Sequence, residues 1–80
     1  MHMKELIQTI VEAIVEHPKH IVITESTDDN TVTYVLSVHK DDVGKVIGKQ
    51  GRIIQAIRTV VYAAASQQPK RVVLHIDDKG

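Results

Sequence analysis

The residues whose types and spacing could do chemistry are Gly48, Lys49, Gln50, Gly51 and Arg52, a Gly-x-x-Gly segment carrying two cationic side chains. Glycine has no Cβ, so two glycines three positions apart permit positive φ and let another molecule approach the backbone closely. If a helix begins at Gly51, its unpaired first-turn N–H groups and the positive end of its dipole face the same loop. A phosphate is the natural guest for such a backbone clamp. The spacing alone is weak, since ordinary glycine usage yields about 0.4 such pairs by chance in a chain of this length. The aliphatic flanks Val46, Ile47, Ile53 and Ile54 must carry the rest.

Charge is distributed in favour of an anionic guest. The formal net charge is zero, yet residues 1–30 hold two lysines against six carboxylates, while residues 40–71 hold seven lysines and arginines against two aspartates. The positive segment contains the glycine loop. An unevenly charged but merely solvated surface is the plain alternative.

Hydrophobic periodicity names the elements that must hold this loop. From Lys4 to Glu16, apolar Leu6, Ile7, Ile10, Val11, Ala13 and Ile14 recur at intervals of three and four, predicting an amphipathic helix that stops before Pro18. Ile21 and Ile23, then Val32, Tyr34, Leu36 and Val38 after a polar turn at 27–30, alternate as a β-hairpin. Thr33, Val35, Ser37 and His39 then face away from the core. Residues 40–47 suffice for two helical turns, with Asp41 and Asp42 at the positive end. A longer helix is expected over 51–67, with Ile53, Ile57, Val60 and Ala64 on one stripe and Ile54, Val61 and Ala65 beside it. Val72, Leu74 and Ile76 predict a third strand after Pro69. The fold class is α+β, in the order helix, strand, strand, helix, helix, strand. The short turn makes the first two strands antiparallel and the two-helix crossover makes the third parallel, a mixed sheet covered on one face by three helices.

Length and composition bound the function. Eighty residues form one domain over 1–80, with no second lobe to close over a substrate, so a multi-step enzyme is not expected. Hydrophobic residues at 42% and charged residues at 25% fit a globular protein, and the lack of Cys removes disulfides and thiolate metal sites. No apolar run approaches the roughly 18 residues of a membrane span, and no signal-peptide core is visible, so a cytoplasmic location without membrane contact is expected. Met1-His2 reads as a cloning scar before Met3, and 78–80 as a flexible tail.

The element order and the run from Val46 to Ile57 together resemble a K-homology (KH) RNA-binding domain over nearly the whole chain. Its signature is the aliphatic pair before Gly48 combined with Ile53, Ile54 and Ile57 after Gly51. The N-terminal placement of the extra helix and strand resembles the type II arrangement, and the length is similar to the bacterial KhpA family of small single-KH-domain proteins. The resemblance implies single-stranded RNA as partner, with Gly48, Lys49, Gln50 and Gly51 clamping about four nucleotides. It also implies a homodimer, or a heteromer with a larger Jag/KhpB-type KH protein, and work as an RNA chaperone or post-transcriptional regulator linked to cell elongation and division. No cofactor is implied.

On this reading Arg52 adds charge at the helix start, while Val46, Ile47 and Ile54, with the strand from Arg71 to Ile76, wall an apolar groove. An edge strand there offers backbone groups to a base. The plain alternatives are a helix-loop-helix turn with Gly48 and Gly51 as caps, and aliphatics that are simply core. Arg58 and Arg71 are read either as phosphate contacts or as solvated cations. Only Tyr34 and Tyr62 are aromatic, and Tyr34 lies in the inward phase of its strand, so an aromatic stacking platform is not expected. The wide apolar face of the long helix is expected to leave Ile54, Val61 and Ala65 exposed as a homodimer or partner surface.

Other chemistries fit poorly. Residues 44–50 have three positions between glycines where a P-loop has four, and Gln50 stands where it needs Ser or Thr. His17 and His20 flank Pro18 without a visible third ligand, so no metal site is expected. Asp41-Asp42 is read as helix-start solvation, and the serines lack a base partner. The competing functions are a KH-fold interaction module with weak RNA binding and a ribosome-assembly component.

Overall fold

The computed structural model describes residues 2–77. Helix α1 spans Met3–Glu12 and buries Ile7 and Val11 one turn apart, while Lys4, Glu5, Thr9 and Glu12 stay exposed. It stops four residues before the expected Glu16. The amides of Ile14 and Val15 both turn back to the Val11 carbonyl, and those of Glu16 and His17 donate to the carboxylate of Asp42 at 3.1 and 2.9 Å. A remote side chain thus takes the two N–H groups that would have extended the helix.

Strands β1 (Val22–Thr27) and β2 (Thr31–Ser37) form the expected antiparallel hairpin, with Ile23 opposite Leu36. Its turn is held by Asp28, whose Oδ1 accepts from the amides of Asn30 and Thr31 at 3.0 and 2.8 Å. Strand β3 (Arg71–Ile76) pairs in parallel with β2, placing Tyr34 beside Leu74 in a sheet ordered β1-β2-β3. Both β1 and β3 are therefore edges. Period two sends Tyr34, Leu36 and Leu74 toward the helices and Thr33, Val35, Val73 and His75 to the other face.

The crossover from β2 to β3 carries α2 (Val43–Ile47) and α3 (Arg52–Ala64). With α1 they bury one core: Ile7, Val11, Tyr34, Leu36, Val38, Val46, Ile54, Ile57, Val61 and Leu74. The fold is the α+β type II KH arrangement that the element order predicts.

Two expectations are corrected. Asp42 is not solvating a helix start; it is fully buried, and its oxygens satisfy the Glu16 and His17 amides. Helix α3 is also rotated from the expected phase. Ile54, Ile57, Val61 and Ala65 are buried, whereas Ile53 and Val60 are 39% and 50% exposed. Ile54, Val61 and Ala65 accordingly cannot form a free dimer surface. Both stripes have helical spacing, so periodicity alone could not choose between them. The tail expected at 78–80 and Met1 of the supposed scar lie outside the described residues.

Candidate nucleic-acid interface

The glycine loop is a sharp left-handed turn between two helices. α2 ends at Gly48, whose amide donates to the Gly44 carbonyl at 2.8 Å and whose φ and ψ are 76° and 175°. Gln50 follows at φ 58°, ψ 26°, and Gly51 at φ 75°, ψ 14°. Three positive φ values within four residues turn the chain so that α3 starts at once, with no side chain capping its N-terminus. Its first-turn donors and the positive end of its dipole lie beside the loop.

The two glycines are needed for different reasons. A Cβ at Gly48 would lie 2.5 Å from Ile53 Cγ1 and 2.9 Å from Ile53 N, so Gly48 is packed against the first turn of α3. At Gly51 a Cβ would meet nothing within 4 Å. That side of the loop is open, and Lys49, Gln50 and Arg52 around it are exposed. A bare backbone rimmed by two cations can accept an anionic oxygen.

A family model described as KhpA/KhpB, KH domain, matches residues 4–76. The chain belongs to the KhpA/KhpB KH-domain family. It is similar to the RNA-binding protein KhpA of Listeria monocytogenes, with 54% identity over 74 residues, 92% of this chain and 97% of that protein. The RNA-binding protein KhpA of Oceanobacillus iheyensis is 54% identical over 74 residues, covering 92% and 99% of the two chains. That of Bacillus subtilis is 48% identical over 77 residues, covering 96% and 95%. No solved structure matches the chain.

In this KH domain the apolar side chains beside the loop are graded by depth. Val46 is fully buried and Ile54 nearly so, both in the core, while Ile47 is half-buried. Val46 and Ile54 therefore sit in the hydrophobic core, the plain alternative that the sequence left open for them.

Arg58 lies half-buried, its Nε donating to the Leu74 carbonyl at 3.0 Å. One helical turn on, the Tyr62 hydroxyl accepts from the Leu74 amide at 3.2 Å. Leu74 thus turns both backbone groups away from β2, and by period two Val72 and Ile76 do the same. β3 is an edge strand, and two side chains of α3 cover its middle residue. Sequence reasoning missed this cover, although Arg58 and Tyr62 stand four apart on one helical face, which is the available signal.

The order of these contacts shows that α3 and β3 run in opposite directions. Arg71 opens β3 beside Thr31, roughly 10 Å along the strand from Leu74 and away from the glycine loop. Ile47, Arg52 and Ile54 adjoin the loop along the chain, Arg58 stands roughly 9 Å further along α3 beside Leu74, and Arg71 lies beyond it at the start of β3. A separate exposed stripe on α3 carries Ile53, Ala56, Val60, Ala63 and Ala64.

Proposed function

We propose that this KH domain binds single-stranded RNA, with Gly48, Lys49, Gln50 and Gly51 clamping the backbone of about four nucleotides. The observation that carries the reading is the open side of the loop at Gly51, where bare backbone, the uncapped start of α3 and the exposed Lys49 and Arg52 converge. The names of its relatives, RNA-binding proteins, support RNA as the ligand class. Bases lie over Ile47 above the buried Ile54, Arg58 borders them, and the outward backbone groups of Val72 and Ile76 give sequence preference. Arg71 contributes charge at the far end of a longer strand. The role is binding, not catalysis, in cytoplasmic RNA chaperoning or post-transcriptional control of elongation and division, as the family resemblance implies.

A backbone amide NMR titration with a randomised short single-stranded RNA pool tests the clamp. Shifts are expected at residues 46–54 and along β3. Replacing Lys49 and Gln50 together by Asp should abolish them while leaving the folded spectrum intact, since both side chains are exposed.

The exposed stripe on α3 favours a second reading, in which the domain serves chiefly to assemble with another protein. We propose a second copy of the chain as the occupant, with a larger Jag/KhpB-type KH protein as the competitor. Amides that stay still in excess RNA would bring this reading to first place.

A further inference from the structure

Away from the glycine loop, three imidazoles meet where the connection from α1 to β1 crosses the connection from β2 to α2. The His17 and His39 rings stack with centroids 4.1 Å apart, and His20 meets them edge-on at 6.0 and 4.8 Å respectively. The third ligand missing from the sequence pattern around Pro18 is thus delivered by the fold. A carboxylate joins them: Asp41 Oδ2 lies 3.7 Å from His39 Nδ1, and ligand atoms of His17, His39 and Asp41 all fall within 4.8 Å of one another.

We propose that His17, His39 and Asp41, with His20 in a fourth position, form a binding site for one divalent transition-metal cation, zinc being the best match. Donors about 2.1 Å from a tetrahedral zinc lie roughly 3.4 Å apart, so the Asp41 and His39 atoms need only a small closure. The tautomer is already suitable. His39 Nδ1 accepts from the Asp41 amide at 3.0 Å, so that nitrogen carries a lone pair and Nε2 the proton. A cation takes the place of that exposed amide donor, and the stacked His17 ring turns to present its nitrogen.

The backbone under the site is preorganised. The buried Asp42 carboxylate holds the His17 amide, which fixes the backbone of one ligand before any cation arrives. His17 and His39 are half-buried, so their backbones stay in place while the His17 ring turns, and the exposed His20 and Asp41 side chains can close on the cation. Three nitrogens and one oxygen suit zinc better than magnesium or calcium. A bound cation ties the start of β1 to the start of α2, and binding the folded state alone raises thermal stability.

The test is a titration of the full chain with zinc chloride, followed by calorimetry and by the imidazole nitrogen resonances. The proposal expects one zinc per chain, with His17, His20 and His39 shifting together while His2 and His75 do not. His17→Gln and His39→Gln should each weaken binding at least about tenfold, and His75→Gln should not. If His39→Gln fails to fold, His20→Gln and Asp41→Asn, both at exposed positions, give the same readout. Shifts confined to His2 and His75, affinity unchanged by His17→Gln, or no response to millimolar zinc would each overturn it.

Discussion

Gly48 and Gly51 are the same letter in sequence and different constraints in space. At Gly48 a methyl group collides with Ile53 and the backbone sits in a region reserved for glycine, so Gly48→Ala should cost about 3 kcal/mol in urea unfolding. Gly51→Ala meets no atom and carries only left-handed strain, so about 1 kcal/mol is expected, with a larger proportional loss of RNA affinity because the new methyl fills the open side. The equal spacing was legible in the sequence, but which glycine is structural was not, because that depends on where Ile53 lies. Asp42 makes the same point for charge. Burial raises its pKa, but the amides of Glu16 and His17, aided by positive charge at His17 and Lys45, more than reverse this and hold the carboxyl below the ordinary carboxylate range. Its stabilising contribution is therefore complete above the unfolded pKa of about 4 and is lost as pH falls through the lower folded value. Asp42→Asn should destabilise the domain at neutral pH and flatten its acid unfolding below pH about 4, as read by circular dichroism.

At the scale of elements, α3 decides most of the site. Its apolar residues cover two adjacent stripes, and the contact between Gly48 and Ile53 goes with a rotation that puts Ile54, Ile57 and Val61 inward. Val60 is left half-exposed, so Val60→Glu should leave unfolding stability within about 0.5 kcal/mol of the parent. Sedimentation at tens of micromolar should then show a dimer for the parent and a monomer for the variant; a parent that is already monomeric would remove the proposed assembly surface. The polar side of the same helix covers the β3 edge. Tyr62→Phe removes the acceptor of the Leu74 amide, a loss of about 1 kcal/mol, and amide exchange at Leu74 should accelerate more than at its neighbours. The strand and helix order was legible because hairpin alternation and helical spacing are local patterns. The early end of α1 was not, because its cause is Asp42, far along the chain.

For the molecule as a whole, zero net charge conceals a positive half that carries the glycine loop. A clamp that neutralises two or three phosphates predicts that log affinity falls with log salt at a slope of roughly −1.5 to −2, measured by fluorescence anisotropy on labelled RNA. A much steeper slope would mean that two grooves act together. By itself the sequence determined the element order, the mixed sheet, the loop residues and the family resemblance, since these rest on local spacing, glycine's backbone freedom and composition. Tertiary structure alone decided which stripe of α3 is buried, that Val46 and Ile54 are core, that Arg58 and Tyr62 cover Leu74, and that three histidines from two connections meet. The physical reason is common to all four. Each depends on the rotation or approach of elements distant along the chain, and packing sets those quantities where periodicity leaves them free.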